Sequence, residues 1–394
     1  AELEATIRAF FEPAGDGRDS VSCRFVARYE WITDRLGLEA SRMPCAPCTS
    51  FHDFVDRLDP TEVLLVFPMA HLNSPASMYG HTLLVIGARG TSPHLAHSVS
   101  YSALTQESFG PLFALKSIFG LYPGYYSVLP YYKKLQEYND VDYRDIWEYR
   151  LDLTPAEIRK MLLHVRELES ISSDYFFFDE NCSFSLLYLV EAARPGVHLA
   201  DRVHAWLIPL DSIRMIEQEG MINGVSYRPS RVTRIRSLCK ALTPPERHRA
   251  LSLARGAAGD AGVDTTDSAG IYELAGEYLQ YLYSQGDVSQ EDYRKRFLDI
   301  LASRSELGPG EDQGAARIPV PVNPLEGHRS NRAGLGAGIH HEGTFLEMRL
   351  RPAYHNLMDR DDGYVPGAHL VFADISVRYF PDLNRCRLES LDVV

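Results

Sequence analysis

Asn181-Cys182-Ser183 is the stretch of this chain best suited to covalent chemistry. Asn is a favoured N-cap, so Cys182 falls in the first turn of a helix read over residues 182–193. Unpaired backbone N–H groups and the helix dipole there favour a thiolate over a thiol, and the thiolate is the nucleophile. The plain alternative is a cysteine that only packs, because free cysteine is among the most buried residue types.

His81 opens the apolar run Thr82-Leu83-Leu84-Val85-Ile86 directly after Gly80. A histidine at a strand edge is usually structural. Paired with a cysteine at a helix start, it becomes a thiol–imidazole couple. The imidazole takes the thiol proton and later returns it to the leaving group. The oxyanion of such a reaction needs donors. The backbone N–H of Cys182 is one, and Asn73 or Tyr79 supplies a second. Against that stands a simple turn set by Pro75 and Gly80.

Other clusters carry less. Glu148, Glu157, Glu167 and Glu169 are unpaired in sequence and suit helix surfaces or strand ends. Asp359-Arg360-Asp361-Asp362-Gly363 lacks the downstream ligand of a calcium loop and reads as a turn. His340-His341 has the wrong spacing for one helix face. Cys45-Ala-Pro-Cys48 is a lone CxxC, short of ligands for zinc unless Cys23 and His52 join it. A disulfide from Cys23 to Cys45 or Cys48 is the better reading for an exported chain. No metal and no cofactor are expected.

The elements that would position Cys182 and His81 are legible. Thr61–Ala70 reads as a buried strand, 82–86 as a second and Leu95–Ala103 as a third. Thr154-Pro155-Ala156-Glu157 is a helix start running to about Ser170. Phe25, Tyr29, Ile32 and Leu36 recur at helical spacing within an N-terminal helical region. Met43–Ser50 is a loop. Residues 109–149 are dense in aromatics, Phe109 to Tyr149, either a packed loop or the wall of an acyl groove. Trp147–Leu153 is a further strand. Helices follow over Leu207–Glu219, Pro244–Arg255, Ile271–Ser284 and Ser289–Ser303, and strands over Gly343–Arg351 and His369–Tyr379.

The bulk composition excludes some partners. The chain has 394 residues, 45% hydrophobic and 24% charged, ordinary for a folded protein of two or three domains. A net charge of −13 argues against nucleic acid, which needs a basic footprint. No apolar stretch is long enough to span a bilayer as a helix. The first residues show no export signal, so either none exists or it was removed.

Gly80-His81-Thr82-Leu83-Leu84-Val85-Ile86-Gly87 followed far downstream by Asn181-Cys182 resembles the circularly permuted, NlpC-like branch of papain-type thiol enzymes. That branch includes lecithin–retinol acyltransferases, and its histidine precedes its cysteine. A closer resemblance is to the Lnb-type periplasmic domain, a bacterial family linked to lipoprotein N-acylation. It rests on Val66-Phe67-Pro68, Asn73 through Thr82, Arg144 through Tyr149, and Tyr175 through Ser183, and covers about residues 20–230. The resemblance implies catalytic roles for His81 and Cys182. It places the residue that orients the imidazole at Ser100, with His97 and His94 as alternatives. His97 and Ser100 have opposite parity on a regular strand, so only one faces the site.

The expected fold is α+β. It comprises a helical region over 1–58, a permuted papain-like catalytic domain with an antiparallel sheet over 59–230, a helical region over 231–310, and a β-rich segment over 311–394. The expected activity is a cysteine-dependent acyltransferase of the periplasm or cell envelope, acting at a membrane surface. Cys182, His81 and Ser100 would be catalytic, and Asn73, Tyr79 and Asn181 would bind substrate. Phospholipid is the acyl donor, and a lipoprotein N-terminus or another amine the acceptor. The alternatives are a cysteine peptidase or amidase on cell-wall peptides, and a binding module without activity.

Overall fold

The computed structural model describes residues 1–11, 20–39, 42–43, 45–71, 77–105, 110–204, 206–256, 269–307 and 318–392. The elements begin with α1 (Glu2–Ala9), α2 (Val21–Arg24), α3 (Val26–Leu36), α4 (Thr49–Leu58), β1 (Glu62–Pro68), β2 (Leu83–Gly87), β3 (His97–Ala103) and α5 (Gly110–Ile118). Next come β4 (Tyr122–Pro130), α6 (Tyr131–Leu135), β5 (Ile146–Leu151), α7 (Pro155–Leu168), β6 (Ser172–Tyr175), α8 (Cys182–Ala193), α9 (Pro209–Gln218) and β7 (Ile222–Arg228). Four helices follow: α10 (Arg231–Ala241), α11 (Pro244–Arg255), α12 (Ala269–Gln285) and α13 (Gln290–Glu306). The chain then turns to β8 (Arg332–His340), β9 (Gly343–Arg351), β10 (Ala353–His355), β11 (Leu370–Phe372), β12 (Asp374–Phe380) and β13 (Arg385–Asp392).

Packing divides the chain into two units, Ala1–Tyr132 with Trp147–Ser226 and Val322–Val394, and Lys133–Ile146 with Tyr227–Pro321. The first unit is built on a seven-stranded sheet in the order β6-β4-β3-β2-β1-β5-β7, antiparallel from β6 through β1. All five residues of β2 are buried. A strand covered on both faces reads as an unbroken apolar run rather than an alternating one, which is how residues 82–86 look in sequence.

Helix caps on this sheet follow local chemistry. At α7, Thr154 and Glu157 close a reciprocal capping box, with Pro155 in the first turn. The Glu157 carboxylate also takes the Arg194 guanidinium at 2.7 Å, which ties α7 to the end of α8. At α3, the Glu167 carboxylate accepts from the backbone N–H of Ala27 and Arg28, so the N-terminal helices pack onto α7 in the same unit as the sheet.

Cys23 and Cys48 form a disulfide, which joins α2 to the residue that opens α4. The bond takes Cys23 and Cys48, two of the four groups that a zinc site at the CxxC would need. Cys45, Cys182, Cys239 and Cys386 are unpaired.

The second unit is helical. Leu238, Ala250, Leu274, Leu279 and Ile300 from α10 to α13 form its core. Arg231 is buried there and pairs with Asp140 at 2.6 Å and Glu277 at 3.0 Å. Residues 133–146 thus belong to this unit, a long-range return that no local sequence boundary announces. The small, polar run Gly256–Gly270 reads in sequence as a linker and the Gly- and Pro-rich run Leu307–Pro324 as a boundary; residues 257–268 and 308–317 of them lie outside the described residues.

The C-terminal strands form a four-stranded antiparallel sheet, β13-β12-β9-β8, and a separate β10-β11 pair. The single strand expected over His369–Tyr379 is two strands in different sheets. Ala373 adopts φ 51° and breaks the run, a left-handed conformation that a continuous strand cannot contain.

Candidate thiol site

Asn181 builds the turn that presents Cys182. Its side-chain oxygen accepts from the backbone N–H of Ser183 at 2.9 Å and of Phe184 at 3.2 Å. Its amide group donates to the carbonyls of Phe177 at 3.0 Å and Leu207 at 2.6 Å. Every polar atom of this buried side chain is used in holding the loop and cap. Asn181 therefore positions Cys182 rather than reaching outward.

The two remote segments meet. The Thr82 hydroxyl donates to Cys182 Sγ at 3.9 Å and bonds Ser183 Oγ at 3.0 Å. Ser183 Oγ also lies 3.9 Å from the sulfur. His81 is the residue before Thr82, with its Cα about 3.8 Å from that of Thr82. His81 is half-buried, and its N–H donates to Pro68 O at 3.3 Å.

Cys182 is 5% exposed, so it does not lie in the open cleft that a free nucleophile would occupy. Burial pushes its thiol up, against the opposing pull of backbone and hydroxyl donors on Thr82 and Ser183. The sulfur is enclosed, yet in a polar shell rather than in hydrocarbon. Tyr175 is buried beside it, its phenol pushed up by burial and then by Cys182. Tyr175 stacks on Tyr101 at 6.0 Å.

Ser100 bonds Ser127 Oγ at 3.0 Å, its cross-strand partner on β4. Ser100 and Tyr101 point to opposite faces of β3. Ser100 thus leaves the sheet on the face away from the Tyr101–Tyr175 stack. His97 shares the face of Tyr101 but lies four residues along, roughly 13 Å at strand rise. Its ring meets Phe54 edge-on at 5.5 Å, and burial lowers its pKa. It lines a separate cavity of about 260 Å³ with Phe51, Ile86, Val99 and Leu162.

Tyr79 is buried against Phe177, Phe178 and Tyr354, with ring centroids 5.6 to 6.3 Å apart. Its hydroxyl is buried and has no hydrogen-bond partner among the described residues. Burial pushes this phenol far up, so it stays a donor. Asn73, expected beside it, lies outside the described residues.

A groove of about 1510 Å³ runs between α3, α7 and α8, lined by Trp31, Tyr101, Tyr126, Leu163, Phe184 and Leu189 among others. Arg159, Lys160 and His164 add charge and polarity to its wall. Glu180, Phe184 and Ser185 reach it from beside the cysteine, while Cys182 itself stays behind them. Among the described residues, the aromatic segment 109–149 contributes only Tyr126 to this wall. Tyr122, Tyr131 and Trp147 are buried in the first unit, and Tyr138 in the second. Phe109 lies outside the described residues.

Sequence reasoning did not single out Thr82 or Ser183, the two hydroxyls on the sulfur. Both directly follow residues that it did single out. The groove residues from α3 and α7 carried no local signal, because they meet only in three dimensions.

Fold and site together define an α+β protein with an enclosed cysteine at a helix N-terminus, reached by a residue from the start of a central strand. Residues 50–219 match the family model of the Lnb N-terminal periplasmic domain. This match spans the strands β1 to β6 and the helix that carries Cys182, and it points to a periplasmic or cell-envelope location. Three domains of unknown function match elsewhere: DUF7843 over residues 1–35, DUF7842 over 225–315 and DUF7840 over 321–394. No curated protein and no solved structure matches the chain. Among the described residues, no helix is long and apolar enough to cross a membrane.

Proposed function

We propose that this protein is a cysteine-dependent acyltransferase of the cell envelope, built on a permuted papain-like domain. The observation that carries the reading is the contact of Thr82, the residue after His81, with a capped, helix-N-terminal Cys182, within a segment that matches the Lnb family. His81 takes the Cys182 proton as the sulfur attacks the ester carbonyl of a phospholipid. The carbonyl oxygen becomes an oxyanion, received by the Cys182 backbone N–H and by the Tyr79 hydroxyl. The carbon–oxygen bond breaks, the lysophospholipid oxygen takes the proton from His81, and a thioester remains on Cys182. An amine, such as the N-terminus of a lipoprotein, then attacks the thioester and yields its proton through His81. The amide forms and the thiol returns. The family likeness gives the orienting role to Ser100, but its bond to Ser127 on the face away from the Tyr101–Tyr175 stack does not favour that role. Burial of the sulfur keeps water from the thioester and favours transfer over hydrolysis.

The C-terminal sheet supports work at a lipid surface. Leu335, Leu346, Met348, Leu350 and Leu388 lie on one face through the cross-strand pairs Leu335↔Met348 and Val377↔Leu388, and Leu335 is 90% exposed. The opposite face holds the ion pairs Arg378–Glu347 and Arg349–Asp374. A sheet with its charges paired on one face and aliphatic groups in solvent on the other has the alternation of a lipid-facing sheet. Among the described residues of the aliphatic face, Tyr379 is the one large ring, so the aromatic anchors of a protein interface are sparse there.

The test is intact mass spectrometry after incubation with phospholipid vesicles. An acyl adduct on Cys182 that hydroxylamine removes is the expected result. Its absence, with Cys182→Ala behaving as wild type in cells, sinks the proposal. A second reading, a binding module without activity, is favoured by one observation, the 5% exposure of Cys182. A peptidase or amidase would instead cleave cell-wall peptides with no lasting acyl adduct.

A further inference from the structure

The stretch Asp359–Gly363, which looks like a turn in sequence, belongs to a cluster far more organised than a turn requires. His328 Nε2 and His355 Nδ1 face each other at 2.9 Å. The outer nitrogen of each ring already has an oxygen partner. His328 Nδ1 lies 2.7 Å from the carbonyl of Arg329, and His355 Nε2 lies 3.1 Å from an Asp361 carboxylate oxygen. A carbonyl and a carboxylate only accept, so both outer nitrogens carry the N–H. A neutral imidazole has one N–H. Both inner nitrogens are therefore bare lone pairs, and two lone pairs at this separation repel unless a cation lies between them.

We propose that His328, His355 and Asp359 form a metal site for a first-row divalent ion, with zinc the best fit. Asp359 Oδ2 lies 3.9 Å from His328 Nε2, and the three donor atoms all lie within 4.8 Å of one another. Two imidazole nitrogens and one carboxylate oxygen suit zinc, which accepts three protein ligands and a fourth position open to water. Tetrahedral zinc would hold the two nitrogens about 3.3 Å apart, a shift of a few tenths of an ångström. The outer oxygens on each ring are what metal-bound histidines use to fix tautomer and orientation.

The surroundings hold the ligands in place. His355 is fully buried, and Tyr364 stacks on both rings, at 4.2 Å from His328 and 4.7 Å from His355. The Tyr364 hydroxyl and the Arg214 guanidinium both donate to the His328 carbonyl at 2.7 Å. Arg351 bonds Asp359 Oδ2 at 2.6 Å and Arg332 bonds Oδ1 at 3.1 Å. These guanidiniums orient the carboxylate and weaken it as a ligand, so the two histidines dominate binding. The alternative is that no metal binds and the two rings only pack against each other under Tyr364.

Metal titration of the whole purified chain, stripped with chelator and dialysed, separates the two. Zn2+ measured by calorimetry, and Co2+ by its visible band, are expected to bind at one equivalent. His328→Gln and Asp359→Asn are each expected to weaken binding at least about tenfold. The double variant His340→Gln/His341→Gln removes the other group of neighbouring ligands, His340, His341 and Glu342, and is expected to leave affinity unchanged. No saturable binding to wild type overturns the site, as does binding indifferent to His328→Gln. If Asp359→Asn fails to fold by circular dichroism, the half-buried His328 variant still decides. The readout involves neither Cys182 nor lipid, so its outcome is independent of the acyltransferase proposal.

Discussion

The Thr82 hydroxyl donates to the Cys182 sulfur across 3.9 Å, joining residues 100 positions apart. It also bonds Ser183 Oγ at 3.0 Å, so one side chain holds both the sulfur and the first turn of its helix. Thr82→Val keeps the shape and removes both bonds. The loss is expected to cost about 1 kcal/mol of stability, read as a lower urea midpoint. The Cys182 pH–reactivity profile should move to higher pH, because a donor to the thiolate is gone. An unchanged profile would show that Thr82 only packs.

Thiol labelling tests the enclosure of Cys182. Cys386 is exposed and Cys182 buried with its thiol pushed up. In native protein at neutral pH, iodoacetamide is expected to label Cys386 rapidly and Cys182 slowly, with the Cys182 rate climbing as pH rises. Peptide mapping over time reads both. Equal rates at the two positions would contradict the buried geometry.

Asn181→Ala removes the cap and leaves the Phe177 and Leu207 carbonyls without their donor. The expected cost is about 2 kcal/mol, since a lost cap and an unsatisfied buried carbonyl add. Denaturant unfolding gives the number. Activity should fall with it, because the turn no longer presents the sulfur. Asn181→Asp, which keeps the cap oxygen, should recover part of the stability and less of the fit to the two carbonyls.

The Arg194 guanidinium beside Glu157, with the Thr154 cap, holds the Glu157 carboxyl down at about 2. A carboxyl depressed in the folded state stabilises above its unfolded pKa, and that contribution is lost as pH falls toward the folded one. The window is from about pH 4.5 down to 2. Arg194→Gln is therefore expected to lower stability at neutral pH, read by urea unfolding, and the gap between wild type and variant should close as pH falls from about 4.5 toward 2.

Closing the Cys23–Cys48 loop removes freedom from the unfolded chain. For a separation of 25 residues this contributes about 3 kcal/mol. Cys23→Ala/Cys48→Ala should unfold at correspondingly lower denaturant, and dithiothreitol should reproduce the shift in wild type. Such a bond persists in an oxidising compartment, in keeping with the periplasmic family match.

Much of the frame was legible in local sequence. The Thr154–Glu157 box and the Asn181 cap begin α7 and α8 where their residue types require, because capping is settled within four residues. The run 82–86 is β2 because five successive apolar residues fit a strand buried on both faces. Tyr79, Cys182 and His81 were singled out from residue type and position alone. Elements with weaker patterns escaped: β4, β6 and β7, and the Gly-rich β8. Their strand character comes from pairing with neighbours rather than from their own alternation.

What only tertiary structure decided is who stands beside whom. Cys23 chose Cys48 over Cys45 because α2 and the start of α4 converge there, and two cysteines three residues apart look alike from sequence. Thr82, rather than any residue named for catalysis, donates to the sulfur, since strand and helix cross at that point. His328 and His355 came together from separate segments under Tyr364. Local chemistry sets how each residue prefers to bend and pair, over a few positions; contacts between distant segments depend on how whole faces bury one another, and no short window carries that information.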